Sequence, residues 1–262
     1  MFKYYFLLLL MSHILGDFYF QTNEMVKQKE NEKFTMLLLY NFKHILIYLI
    51  SIVVVLLPIF KSIYIIPILL LVSIHFIIDF VKSIIIKNHN KNKNNKCKNI
   101  HNFDVWIFII DQIIHIITII CFAVYFDNNI LLERIWLVKR LESIINISFY
   151  DVILVVSVIL LNGKPFNIFI KKVFNKFQPS DDTESNSVKG AGGIIGFIER
   201  LLIALLYYNN QFAIIGLVLT AKSVARYKKI TEDAKFAEYY LMGTLSSTLF
   251  SIISVYFINW VK

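Results

Sequence analysis

Three pairs of ionisable residues stand four positions apart inside long apolar runs: His13 and Asp17, His75 and Asp79, and, in reverse order, Asp111 and His115. Four residues is about one helical turn, so in a helix each pair shares a face. Imidazole nitrogens and carboxylate oxygens are donors that Zn²⁺, Mn²⁺ and Fe²⁺ accept, and inward-facing pairs on neighbouring helices are how bundles build metal sites. With His44, in a further apolar run, the three pairs offer more donors than one closed site needs. The surplus suits an open catalytic site, two metals, or one metal whose ligands are held by hydrogen-bonded partners. Gln21, Lys82 and Gln112 are polar neighbours suited to orienting ligands or substrate. Two other chemistries use the same residues: a proton or ion pathway, and a purely structural network between helices.

The elements that position these groups are apolar and long. With 57% apolar residues and a mean hydropathy of +0.64, the chain reads as an all-α, polytopic membrane bundle. Eight spans are predicted, at about 4–22, 36–60, 62–86, 104–126, 147–162, 191–208, 211–227 and 237–260, the fifth and seventh being short. The first is not read as a signal peptide, because His13, Gly16 and Asp17 interrupt its core and no small-residue cleavage site follows. Ionisable residues inside such spans are expensive and mark functional sites.

If all eight cross, one side receives 17 lysines and arginines from the connections and the other six. Basic loops stay inside, so the loops are predicted cytoplasmic and both termini outside. The net charge of +9 is therefore a topology signal and not a sign of a nucleic-acid partner. In this orientation His13, Asp17, His44, His75, Asp79, Asp111 and His115 all fall on the cytoplasmic side of the midplane. Neither Cys97 nor Cys121 suggests a disulfide framework or a thiolate metal site.

The whole chain, 1–262, is treated as one membrane domain with three parts. Residues 1–126 form a His/Asp-rich four-helix half, and 190–262 a three-helix half. Between them, 127–189 holds an amphipathic helix at the outer interface, the fifth span, a second amphipathic helix between Pro165 and Pro179, and a polar linker at 180–187. In the last part Lys222 and Arg226 share a helical face, with Glu199 and Arg200 deeper in their span. These charges pair with one another, for instance Glu199 with Lys222, or leave a cation free to hold a phosphate. Lys189 and the glycines at 190–193 could add backbone N–H groups, although Gly192 and Gly196 also make a helix-packing face.

The motifs His13-x-x-Gly-Asp17-Phe-x-x-Gln21, His75-Phe-x-x-Asp79-x-x-Lys82 and Asp111-Gln112-x-x-His115 resemble a bacterial membrane family known as domain of unknown function 3307. The later blocks around Glu199-Arg200, Lys222 to Arg226 and Glu238 resemble an extension that often follows it. The resemblance implies a membrane protein and no established activity. A fainter similarity is to membrane-bound metal-dependent hydrolases.

The residues themselves favour a metal-dependent hydrolase acting on a phosphate-bearing or lipid-like substrate at the inner leaflet. His13, Asp17, His75, Asp79, Asp111 and His115 would hold one or two divalent ions, Zn, Mn or Fe, that activate a water. His44, or Asp111 and His115, would serve the proton transfers, and Arg200, Lys222 and Arg226 would hold the anionic group. Membrane lipids and an anionic small substrate are the partners this implies. The rival classes are a proton- or cation-coupled transporter of an anionic solute, and a membrane scaffold or assembly factor.

Overall fold

A computed structural model describes residues 1–29, 34–91, 100–178 and 190–261. Every regular element among them is helical. The chain divides into two compact units, Met1–Ser157 and Val158–Lys262.

The first unit is built on α1 (Phe2–Ile14), whose run of leucines allows it to be enclosed on all sides. Leu7, Leu8 and Leu9 are at most 1% exposed. Helix α1 continues into a π-helical turn, Leu15–Phe20, which carries Asp17. After the short α2 (Asn23–Lys29) come three long helices, α3 (Phe34–Leu56), α4 (Ile65–Lys91) and α5 (Ile100–Asn129). Both α1 and α4 pack against α3 and α5, so the four close into a ring, with α2 laid against α3.

The ring is polar within and apolar without. Asn41, His44, His75, Asp79, Asp111 and His115 are buried, while Leu46, Ile50, Ile66, Leu70, Ile113 and Ile117 are exposed. In water this arrangement would expose apolar surface at no benefit; in hydrocarbon, which cannot hydrogen-bond, it is the one that satisfies both faces.

The two ends of the ring differ. At the end holding the start of α1, Tyr5 and Tyr64 share a 2.8 Å hydroxyl contact and Tyr5 donates to the Ile130 carbonyl. Phe126 packs on both rings, and all three side chains have no exposure. Outside this plug, Ile135 N–H donates to the Pro58 carbonyl, and Lys61 pairs with Glu133 at 3.0 Å. That contact holds the Glu133 carboxyl below its ordinary value. Helix α6 (Trp136–Ile145), the predicted amphipathic element, buries no residue. It is tied at its start by Arg134 to Glu142, at 2.6 and 2.8 Å.

Among the described residues six helical stretches are long and apolar enough to cross a membrane, and the count of eight is not confirmed. The first predicted span is α1 continued by the π-turn to Phe20, and the seventh is α10 (Phe212–Ala225), 14 residues. At 1.5 Å per residue α10 is about 21 Å long, short of a hydrocarbon core of about 30 Å. The fifth, α7 (Phe149–Asn162), and the helix predicted after Pro165, α8 (Lys164–Phe174), form one apolar stretch to Phe177, broken at Gly163 where ψ is −123°. The predicted linker at 180–187, Lys189 and the lysines within 92–99 lie outside the described residues.

In the second unit α9 (Ala191–Tyr208) packs on α12 (Ala234–Val261), with α8 against both, α10 on α9 and α11 (Tyr227–Glu232) on α12. Val158, Ala204 and Val255 form its apolar centre beside Tyr207.

Candidate functional site

Each helix of the ring contributes to one buried cluster near the end opposite the tyrosine plug. Asp17 arrives on the π-turn of α1, His44 on α3, His75 and Asp79 on α4, and Asp111 and His115 on α5. Local helical turns, π-bulges included, gather at functional sites because an altered pitch re-aims a side chain that a regular helix would point elsewhere.

The distances define a shared centre. Asp17 Oδ1 is 3.4 Å from both His44 Nε2 and His75 Nε2. His44 Nε2 lies 3.2 Å from His75 Nε2 and 3.2 Å from Asp79 Oδ2. His115 Nε2 lies 3.5 Å from Asp79 Oδ1 and 3.6 Å from Asp111 Oδ1. Donor atoms of Asp17, His75, Asp79 and His115 all fall within 4.8 Å of one another, as do those of His13, His75 and His115. Around a tetrahedral ion with bonds of about 2.0–2.1 Å, neighbouring ligand atoms sit about 3.3 Å apart. The Asp17–His75 and Asp79–His115 pairs have that spacing.

The hydrogen bonding is incomplete in a way that points to a cation. Buried donor and acceptor atoms normally find partners. Here Asp17 Oδ1, Asp111 Oδ1, His13 Nδ1 and His115 Nε2 are buried and make no hydrogen bond among the described residues. His13 sharpens this. Gln112 donates its amide N–H to Asp111 Oδ2 at 3.0 Å, so its Oε1 accepts from His13 Nε2 at 3.3 Å. His13 Nδ1 is then a lone pair, facing the Asp17 Oδ1 lone pairs at 3.8 Å. Two acceptors directed at each other are satisfied by a positive ion between or beside them.

Packing fixes the rings. Tyr48 stacks on His75 with centroids 3.8 Å apart and planes within 9°. Gly16 lets α1 approach Tyr48 this closely, since a Cβ there would lie 2.8 Å from the Tyr48 ring. Two lysines close the cluster on its open side. Lys29 Nζ meets Asp79 Oδ2 at 2.5 Å, and Lys82 Nζ meets Asp111 Oδ2 at 2.6 Å. Gln21, with its amide turned to donate to the Asp17 carbonyl at 3.1 Å, accepts from Lys29 Nζ at 2.9 Å. Asp17, Gln21, Lys29, Asp79, Lys82 and Ser83, with Val26 and Ile86, line a cavity of about 60 Å³ that opens outward.

His13, Asp17, His44, His75, Asp79, Asp111 and His115 thus come together, with Gln21, Lys82 and Gln112 beside them. Arg200, Lys222 and Arg226 belong to the second unit. There Lys222 lies 2.5 Å from Glu199 Oε2, and Arg200 donates to the Asn162 carbonyl and Asn167 Oδ1, each at 2.7 Å. Arg226 is exposed at the start of α11. The sequence reading did not single out Lys29, Tyr48 or Ser83. Tyr48 stands one turn from His44 on a mostly apolar run, which is a usable signal; Lys29 has none, being one of several lysines in a basic loop.

Residues 5–140 match the profile of a family described as Protein of unknown function (DUF3307). No curated protein and no solved structure matches the chain. The matched segment contains the whole His/Asp cluster and both lysines, and ends before the second unit.

Proposed function

The chain belongs to the DUF3307 family, and we propose that it is a membrane-embedded, metal-dependent hydrolase working at one face of the bilayer on a phosphate-bearing or lipid-like substrate. The observation that carries this reading is the convergence of buried, hydrogen-bond-poor nitrogen and oxygen donors from four helices at 3.2–3.6 Å. Asp17, His75, Asp79 and His115 would hold the ion, with His13 as a further donor. A divalent ion, Zn, Mn or Fe, supplies Lewis acidity and an activated water at neutral pH.

The chain's own groups have the remaining work. His44, within 3.4 Å of both Asp17 and Asp79 and with Nδ1 unpartnered, is a further ligand or the group that accepts a proton. Asp111, held by Lys82 and Gln112 before an ion enters, would steady His115 and offer a further carboxylate to the ion. The apolar wall of the ring excludes water from every side but the cavity.

The tyrosine plug supports one-sided access over transport. A carrier needs a route to the opposite end, where Tyr5, Tyr64 and Phe126 are fully buried. The orientation that keeps basic loops cytoplasmic would put the cavity at the inner leaflet.

Elemental analysis of the detergent-purified protein beside His75→Ala and Asp79→Ala tests the reading. Near-stoichiometric Zn, Mn or Fe in the parent and none in either variant supports it. A parent that retains no metal after reconstitution, with all three proteins monodisperse, overturns it and moves the cluster to proton or ion coupling, for which uptake into proteoliposomes is the assay.

A further inference from the structure

Lys29 and Lys82 do more than neutralise carboxylates, and the charge balance of the cavity shows why. Three carboxylates, Asp17, Asp79 and Asp111, face two ammonium groups, which leaves one negative charge with the histidines neutral. One divalent ion reverses that to one positive charge, and two ions to three. A buried surplus of this size is costly unless a counter-charge arrives with the ion.

We propose that the metal-loaded cavity takes a phosphate group as that counter-charge, and that Lys29 and Lys82 exchange their carboxylate partners for its oxygens. The inference rests on the metal reading above and names what the site recognises. As the ion takes up Asp79 and Asp111 oxygens, both Nζ groups lose their partners while staying at the cavity wall. Gln21 and Ser83 stand beside them with neutral polar groups, which leaves the two ammonium groups as the anchors for an anion.

Volume narrows the class further. The cavity, about 60 Å³, has room for a few waters or for one small anion in their place. The rest of the ligand must lie at the mouth, past Val26 and Ile86, which are apolar and in part exposed.

The test uses the full chain in detergent, loaded with the divalent ion it retains and titrated calorimetrically with inorganic phosphate. Lys29→Gln and Lys82→Gln should each weaken phosphate binding about tenfold or more, and the double variant further. Lys82→Arg should keep most of it. Metal content should be unchanged or higher in the glutamine variants, since each removes a cation that competes for a carboxylate; a lysine with a merely structural role would lose metal and phosphate together. Phosphate affinity equal to the parent's in a metal-replete double variant overturns the proposal and leaves the metal reading intact. A parent that takes up no metal overturns both. Competition by phenyl phosphate and phosphatidate alike would show that the anion suffices, whereas competition by phosphatidate alone would assign the site to a lipid headgroup.

Discussion

Asp79 is where the structural and chemical roles of the cluster can be separated. Its side chain is 5% exposed and touches Lys29 Nζ at 2.5 Å, His44 Nε2 at 3.2 Å and His115 Nε2 at 3.5 Å. Asp79→Asn preserves its shape and removes its charge, leaving the Lys29 ammonium buried without a counter-ion. Breaking a buried pair from one side costs about 3–5 kcal/mol. Asp79→Asn combined with Lys29→Met removes both charges and should recover most of that loss, because a buried pair replaced as a whole is close to neutral.

Metal binding should not recover with it. At a free ion concentration of 100 times Kd the ion stabilises the parent by about 2.7 kcal/mol. If loss of the carboxylate raises Kd about a hundredfold, the increment falls to about 0.4 kcal/mol. Thermal unfolding in detergent, with the ion and with chelator, reads both quantities. The parent should show a metal-dependent shift of roughly 5–11 °C at about 2–4 °C per kcal/mol, Asp79→Asn a low midpoint with almost no shift, and the double variant a recovered midpoint still without it. A double variant with the parent's metal-dependent shift would refute the assignment of Asp79 as a ligand, and an Asp79→Asn midpoint equal to the parent's would refute the buried pair.

Three further outcomes follow from the packing. Gly16→Ala should cost about 1–3 kcal/mol and weaken metal binding, since the new Cβ meets the Tyr48 ring that stacks on His75; Gly216→Ala, with nothing within 4 Å of its Cβ, should do neither, and equal behaviour of the two in unfolding and metal titration would count against the stack. Lys222→Met should destabilise by about 1–3 kcal/mol, because Glu199 is 6% exposed and loses its partner. Stability restored by adding Glu199→Gln with an unchanged KM would assign Lys222 to structure, and a raised KM would assign it to substrate. With Cys97 and Cys121 replaced, Lys61→Cys should react with an impermeant maleimide on intact cells and Lys27→Cys should not; the reverse pattern would invert the topology.

The ring and its site were legible in the sequence to the extent that helical period alone determines them. A spacing of four puts His75 and Asp79, or Asp111 and His115, on one face wherever the helix lies, and burying an ionisable face in hydrocarbon forces it inward. Convergence of the pairs follows from those two facts once the helices close into a ring. Lys29 escaped because its role depends on α2 folding back across the end of the ring, a tertiary event that leaves no period in seven residues. The count of eight spans is unconfirmed for a similar reason: hydropathy measures composition over a window, while α10 is limited by where its helix begins and ends, at Phe212 and Ala225.

The π-turn at Leu15–Phe20 shows the same boundary from the other side. The spacing of His13 and Asp17 predicted a shared face, and their 3.8 Å approach agrees with it. Yet Asp17 also comes within 3.4 Å of His44 and His75 on two other helices, which regular spacing does not explain. Beside it, Gly16 has no side chain to hold α1 away from α3, so the backbone comes close enough for a short carboxylate to cross the interior. Such a turn gives up regular helical hydrogen bonding for a short stretch, and the site chemistry is what that irregularity serves: regular spacing would turn Asp17 to the His13 face, and the π-turn with Gly16 brings it on to the histidines of two other helices.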